Sequence, residues 1–198
     1  MTLTGRTHWI FDMDGTLTLA VHNFDEIRAA LGLPPGRPIL EALAALPPEQ
    51  AAPLHRQLDE IELELTRQAT PQQGAAALLS ALTQRGAKVG ILTRNNRLNA
   101  FETLRACALL DFFEPACILG REAAAPKPNP DGILKLLRHW NVGPDAAVMV
   151  GDYLFDLQAG RRAGTATVYF DADNTNAWTA HADCRVQALN ELLEMIVS

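Results

Sequence analysis

The sequence is poor in cysteine and contains no long uninterrupted apolar run. Its 198 residues include three cysteines, Cys107, Cys117 and Cys184. Their wide spacing matches neither an even disulfide framework nor a zinc site, so we expect reduced thiols and a cytoplasmic protein. No apolar stretch approaches the roughly 20 residues of a membrane-spanning helix. The residues after Met1 also lack the pattern of a signal peptide, so neither a membrane anchor nor secretion is expected.

Basic residues are outnumbered by acidic ones. The chain has 17 lysines and arginines against 23 aspartates and glutamates, a formal net charge of -6. Because a basic surface is the usual signature of nucleic-acid binding, this balance argues against nucleic acid as the main partner. It does not exclude a small anionic substrate, which needs only local positive charge from a lysine or a metal ion.

Strand-like and helix-like segments alternate over most of the chain. Short apolar runs typical of buried strands occur at residues 9–11, 88–92, 116–119, 146–150 and 166–170. Helical periodicity separates these runs, and one helix is expected to start at Thr70-Pro71. This alternation predicts an α/β fold with a parallel sheet and helices on both faces. Asp171 and Asp173 follow the last apolar run and are expected to be acidic loop residues.

The chain from residue 20 to residue 70 departs from this alternation and is helical. Asn23 suits the N-cap of a first helix, and two further helices follow a proline- and glycine-rich loop at 32–38. We therefore predict a core domain of residues 1–19 and 71–198, with a small helical module of residues 20–70 inserted into it.

Individual side chains of this module have expected positions. Phe24 falls on the apolar face of the first helix, and His22 is expected to be an exposed hinge residue. The arginines are expected on solvated faces: Arg28, Arg37, Arg56 and Arg67.

Polar side chains follow several of the predicted strands. Asp12 and Asp14 come after the first strand, Thr93 after the second, and Asp152 and Asp156 after a later one. Parallel strands place their carboxyl ends at one edge of the sheet, so these groups can converge there. Clustered carboxylates repel one another, and Mg²⁺, which prefers oxygen ligands, relieves that repulsion. The Thr93 hydroxyl, together with an ammonium group, suits a phosphate.

The order of these residues resembles the haloacid dehalogenase superfamily, in its phosphatase-rich branch with an inserted helical cap. The first family motif, D-x-D-G-T, matches residues 12–16, and the second, a Thr or Ser that ends the next strand, matches Thr93. The third, a Lys before a helix, matches Lys127, and the fourth, G-D-x-x-x-D, matches residues 151–156. The resemblance implies a Rossmann-like parallel sheet as the core and a helical cap at 20–70.

The resemblance also implies roles for individual residues. Asp12 would be the nucleophile that forms an aspartyl-phosphate, and Asp14 would protonate the leaving group and then activate water. The implied catalytic residues are Asp12, Asp14, Thr93 and Lys127. The implied phosphate-binding residues are Asp12, Thr93, Arg94 and Lys127. The implied ligands of Mg²⁺ are Asp12, Asp14 through its backbone carbonyl, Asp152 and Asp156.

The expected function is a Mg²⁺-dependent phosphatase acting on a small phosphorylated metabolite, either phosphoglycolate-like or a sugar phosphate. Dehalogenases of this family lack the acid that Asp14 supplies, and its phosphonatases need a cap lysine, whereas residues 20–70 contain none. A phosphomutase of the β-phosphoglucomutase type and a non-catalytic binding or regulatory protein on the same fold remain alternatives. We expect a monomer or a weak homodimer.

Overall fold

The chain forms a parallel six-stranded sheet. The computed structural model describes residue 3 and residues 5–20 and 23–197. The strands in this part of the chain are β1 (His8–Phe11), β2 (Lys88–Leu92), β3 (Ile118–Leu119), β4 (Ala147–Gly151), β5 (Ala166–Phe170) and β6 (Cys184–Val186). They lie in the order β3-β2-β1-β4-β5-β6, and each neighbouring pair is parallel. The predicted α/β fold is confirmed, although the short edge strand β6 was not predicted.

The helices surround the sheet. Those of the described residues are α1 (Phe24–Ala30), α2 (Ile39–Ala44), α3 (Pro48–Thr66), α4 (Ala75–Gln84), α5 (Arg97–Ala106), α6 (Asp131–Trp140), α7 (Leu154–Ala163) and α8 (Leu189–Val197). None of them is long and apolar enough to cross a membrane. The three cysteines are free thiols.

The start of α4 was predicted wrongly. The helix begins at Ala75 rather than at Thr70-Pro71, because Pro71 forms an antiparallel bridge with Thr18. Gly74 then turns the chain at a φ of +86°, which favours glycine, before the helix starts.

Strand alternation divides the core into two layers. Trp9 and Phe11 point to one face of β1, where they pack in the same cluster as Leu79 of α4 and Leu189 of α8. Ile10 points to the other face, in a cluster with residues of α6 and α7. Because successive strand side chains point to opposite faces, one central strand holds helices on both sides of the sheet, as predicted.

Helices α1, α2 and α3 have a hydrophobic cluster of their own. Its buried members are Ile27, Leu31, Ile39, Leu43 and Leu58. Phe24 does not join this cluster and is 55% exposed, contrary to expectation. We call these three helices the helical insertion.

Polar contacts connect the helical insertion to the rest of the chain. Arg121, in the segment after β3, forms ion pairs with Asp59 and Glu62 of α3. Asn96, which also caps α5, donates to Asp59 at 2.7 Å. Since Arg121 and Glu62 are both largely buried, these contacts fix the position of α3 against α5.

Asp171 is not the exposed loop residue that we expected. It is buried after β5, where Arg185 donates to its carboxylate at 2.7 Å and the backbone N–H groups of Thr175 and Asn176 each donate at 2.9 Å. Burial alone would raise the pKa of Asp171, but the Asn176 N–H, Arg185 and Thr175 lower it well below its usual range. The carboxylate thus stabilises the loop between β5 and β6.

Candidate active site

A buried lysine joins two of the predicted site carboxylates. Asp12 continues β1, and its backbone N–H donates to the Val150 carbonyl at 2.9 Å. The Lys127 Nζ lies 2.5 Å from Asp12 Oδ1 and 2.6 Å from Asp156 Oδ1. All three residues are buried. The structure therefore brings together groups from β1, from the loop before α6 and from the first turn of α7.

A third carboxylate completes an acidic cluster. One oxygen each of Asp12, Asp152 and Asp156 lie within 4.8 Å of one another. The Thr16 hydroxyl donates to Asp152 Oδ1 at 3.2 Å, and the Tyr153 backbone N–H donates to Asp156 Oδ2 at 3.1 Å. These contacts orient Asp152, which follows β4, and Asp156 of α7 toward Asp12. The resulting donor set consists of carboxylate oxygens, which fit a hard divalent cation such as Mg²⁺.

Two glycines make room for these acids. Gly15 has a φ of +83°, and a Cβ at this position would lie 2.8 Å from Asp152 Cγ. A Cβ at Gly151 would overlap the carboxyl group of Asp156. Both glycines are therefore needed for the close approach of backbone and carboxylate, and Gly15 is also needed for its left-handed turn.

Burial and mutual repulsion disfavour the charged forms of the clustered acids. Burial, reinforced by the charges of Asp12 and Asp156, raises the pKa of Asp152 to about 8. Burial raises the pKa of Asp156 to about 6 and also raises that of Asp12, although Lys127 opposes both shifts. Burial lowers the pKa of Lys127, but the two adjacent carboxylates raise it more, so the ammonium keeps its proton. The positive charge of one lysine thus lies beside three acidic groups.

Asp14 has a separate environment. Its Oδ2 accepts a hydrogen bond from Asn95 Nδ2 at 2.8 Å, and burial raises its pKa to about 6. A carboxyl group with such a pKa can exchange a proton near neutral pH. The backbone N–H of Asn95 donates to Thr93 Oγ1 at 3.1 Å, so one loop after β2 orients both the hydroxyl and the acid.

The contact of Asn95 with Asp14 was not predicted from the sequence. The neighbouring Asn96, rather than Asn95, caps the helix that follows, because its side chain accepts from the Asn99 N–H at 2.8 Å. The only signal was the position of Asn95 two residues beyond Thr93.

Arg94 lies at the site but has a partner in the helical insertion. Its Nη2 is 2.6 Å from both carboxylate oxygens of Glu41 in α2, and its guanidinium lies 5.3 Å from the centroid of the Phe155 ring. His22, which was expected to be an exposed hinge residue, lies outside the described residues.

The site opens into a cavity of about 450 Å³ between the sheet edge and the helical insertion. The predicted site residues that line it are Asp12, Asp14, Thr93, Arg94, Lys127, Asp152 and Asp156. Apolar residues of the insertion, among them Ile27, Ile39 and Leu58, line it as well. The volume is within the range of small-molecule sites, roughly 300–1,000 Å³.

Ligand-binding groups at the carboxyl edge of a parallel sheet are typical of α/β enzymes. The model of one family, haloacid dehalogenase-like hydrolase, matches residues 9–170, a range that contains all four motifs. The chain belongs to this family of hydrolases, which confirms the resemblance seen in the motifs and the predicted class of enzyme.

Individual relatives agree with the family assignment. An uncharacterized hydrolase of Saccharomyces cerevisiae is 30% identical over 194 residues, covering 94% of this chain and 89% of that protein. The N-acetylmuramic acid 6-phosphate phosphatase of Pseudomonas aeruginosa is 28% identical over 215 residues, covering 94% and 93%. The crystal structure of CbbY from Rhodobacter sphaeroides in complex with phosphate has a TM-score of 0.77 at 24% identity, covering 97% of this chain and 99% of that chain. This last likeness supports the fold.

Proposed function

We propose that the chain is a Mg²⁺-dependent phosphatase that hydrolyses a small phosphomonoester through an aspartyl-phosphate. The observation that carries this proposal is the buried Asp12, held 2.5 Å from Lys127 beside two further carboxylates at the edge of a ligand-sized cavity. Family membership and the phosphatase relatives support the same reaction. A phosphorylated sugar or a phosphoglycolate-like acid is the proposed substrate class.

In the first half of the reaction, an Asp12 carboxylate oxygen attacks phosphorus and the bond from phosphorus to the ester oxygen breaks. Asp14 donates its proton to the leaving alcohol, which its raised pKa of about 6 permits near neutral pH. Lys127 and Thr93 bind phosphoryl oxygens and hold the group in line. In the second half, Asp14 takes a proton from water, the water attacks phosphorus, and phosphate leaves with Asp12 restored.

The acidic cluster is the proposed metal site. Asp12, Asp152 and Asp156 would hold the ion, with the backbone carbonyl of Asp14 as a further ligand. Bound Mg²⁺ would offset negative charge on the phosphoryl group and on its carboxylate neighbours. The fit rests on the all-oxygen donor set and on the raised pKa values of the acids, since these carboxylates lack enough positive charge from the chain itself.

The size of the barrier indicates that electrostatic stabilisation must supply much of the rate acceleration. Hydrolysis of a phosphate monoester can need acceleration of up to about 10²¹-fold, equivalent to roughly 29 kcal/mol. Positioning supplies about 7–11 kcal/mol of such a barrier. Electrostatic stabilisation by Lys127 and by the cation held in the acidic cluster would therefore supply much of the rest.

We also propose that residues 20–70 act as a cap over a core domain of residues 1–19 and 71–198. The support is the shared cavity, whose walls come from both parts of the chain. Such a cap would exclude bulk water during phosphoryl transfer and would open for exchange of substrate and product.

The direct test is phosphate release from a panel of phosphorylated metabolites, with Mg²⁺ and with EDTA. We expect Mg²⁺-dependent release, and we expect Asp12→Asn to abolish it while the variant stays folded. Asp173→Asn, at an exposed loop position, is the matched control and should keep the wild-type rate. An unchanged rate in EDTA would contradict the metal role, a normal rate in Asp12→Asn would contradict the nucleophile, and a requirement for a bisphosphate would favour a phosphomutase.

A further inference from the structure

The helical insertion brings positive charge to the cavity. Arg28 of α1 and Arg37 of the loop before α2 both line it, although both were expected on solvated faces. Arg94 lines it too, but its charge is offset by the two oxygens of Glu41 at 2.6 Å. Arg28 and Arg37 are therefore the cavity arginines whose charge is less completely compensated by the chain.

The hydrogen-bonding capacity of Arg28 is only partly used. Its side chain is 17% exposed, and its Nη2 lies 2.5 Å from Asp25 Oδ1. The Asp25 side chain is 85% exposed, so solvent screens this attraction strongly. Within the described part of the chain, the buried Nε of Arg28 has no hydrogen-bond partner. A largely buried guanidinium with an unpaired donor is unfavourable unless another acceptor completes it.

None of the described residues supplies an acceptor for this Nε. The part of the cavity wall that the insertion supplies includes several apolar side chains, among them Ile27, Ile39 and Leu58. Carboxylates that line the cavity have other partners: Lys127 contacts two of them at the sheet edge, and Glu62 of α3 pairs with Arg121. The cavity therefore has an acidic core side, which suits a cation and a phosphoryl group, and a basic insertion side.

We infer that Arg28, assisted by Arg37, binds an anionic group on the leaving-group portion of the substrate. This inference rests on the proposed phosphatase function and narrows its substrate to phosphomonoesters that carry a second anionic group, either a carboxylate or another phosphate. A guanidinium fork matches either group with paired hydrogen bonds. Arg28 is then a specificity residue, because it contacts the substrate away from the reacting phosphorus.

The first test compares three two-carbon esters: ethyl phosphate, phosphoglycolate and ethylene glycol bisphosphate. For at least one of the two esters with a second anionic group, the kcat/KM of wild type should be about tenfold or more above that for ethyl phosphate. Arg28→Met should remove most of this preference and leave ethyl phosphate nearly unchanged. The ester whose kcat/KM falls most in Arg28→Met identifies the group that Arg28 binds, carboxylate for phosphoglycolate or phosphate for the bisphosphate. Arg37→Met should weaken the preference less, because Arg37 is exposed.

Arg56→Met, at an exposed position of α3, is the matched control and should keep the wild-type preference. Equal losses for all three esters in Arg28→Met, or a wild type without preference, would overturn the inference.

A binding measurement separates this inference from the proposed function. Isothermal titration with 3-phosphonopropionate and propylphosphonate, whose P–C bonds resist hydrolysis, requires no turnover. If Arg28 binds a carboxylate, wild type should bind 3-phosphonopropionate about tenfold or more tightly than propylphosphonate. If it binds a phosphate, propane-1,3-bisphosphonate should show that preference instead. Arg28→Met should show neither preference. If no ester is hydrolysed but this difference persists, the phosphatase proposal fails and the anion site stands. If all three phosphonates bind equally, the anion site fails whatever the activity.

Discussion

Replacing Lys127 by methionine tests the electrostatics of the site without any assumption about its substrate. Methionine keeps the length of the side chain and removes its charge. The change leaves Asp12 and Asp156, which lie 2.5 and 2.6 Å from Nζ, without their shared cation. Removing one partner of a buried ion pair costs about 3–5 kcal/mol. That is a large part of the roughly 5–15 kcal/mol by which a domain is stable.

Lys135→Met is the matched control for this prediction. Lys135 also pairs with an aspartate, Asp131 at 2.7 Å, but the two side chains are 41% and 33% exposed. A helix-surface pair of this kind contributes about 0.5 kcal/mol or less. Urea unfolding of both variants in EDTA at pH 8 gives the two free energies directly. The reasoning is refuted if Lys127→Met loses no more stability than Lys135→Met.

The pH dependence gives a second check with a definite sign. The acids of the cluster have folded-state pKa values raised above the ordinary 3.9 of aspartate, to about 8 for Asp152 and about 6 for Asp156. Their folded forms bind more protons than their unfolded forms, so metal-free stability falls as pH rises from about 4 through 8. Loss of the lysine deepens this fall. The destabilisation by Lys127→Met should therefore be smaller at pH 5 than at pH 8, and equal losses would contradict the account.

Three further predictions concern single positions in the site and in the loop after β5. Gly15→Ala should cost about 2–4 kcal/mol in urea unfolding and reduce activity, because it adds overlap with a carboxylate to an unfavourable φ. Gly5→Ala, with a φ of +84° and open space around it, should cost only about 1–2 kcal/mol, and equal costs would argue against the overlap. Asn95→Ala should raise the pKa of Asp14, because it removes a hydrogen bond to the carboxylate. The limb of the pH–kcat profile that reports the titration of Asp14 should then move to higher pH, and an unmoved profile would contradict the contact. Asp171→Asn should cost about 2–4 kcal/mol at pH 7, and the difference should shrink below about pH 4. A lowered folded-state pKa stabilises fully above the unfolded pKa, and this stabilisation is lost as pH falls toward the folded pKa. A difference that persists unchanged at pH 3 would contradict that assignment.

The sequence could predict features that depend on local pattern and on strand ends. The apolar runs identified five of the six strands, and Asp12, Thr93 and Asp152 were placed at one edge because parallel strands end there. The start of α4 was missed, since the bridge from Pro71 to Thr18 joins residues 53 positions apart. The strand β6 was missed because three residues are too few to show a period.

The orientation of side chains in the cavity could not be read from the sequence. Arg94 follows Thr93 directly, which made phosphate binding a reasonable prediction, yet its partner Glu41 is 53 residues away in the helical insertion. Arg28 falls on the polar side of a short amphipathic helix, and such a side is usually solvated. Only the packing of the insertion against the sheet edge turns that side into the wall of a cavity. Periodicity describes one helix at a time and contains no information about what faces it.

Both ends of the cavity carry charged side chains that the described residues compensate only in part. At the sheet edge, one lysine lies beside a cluster of three carboxyl groups, and the proposed cation would offset their mutual repulsion. A ligand at 100 times its dissociation constant adds about 2.7 kcal/mol to stability, so binding of the proposed cation would stabilise the folded state. At the insertion, the ion-pair partner that the described residues give Arg28 is an exposed carboxylate, that of Asp25. Each end therefore carries charge that the chain leaves incompletely compensated, and a substrate with an anion at both ends, bound together with a cation, would complete both.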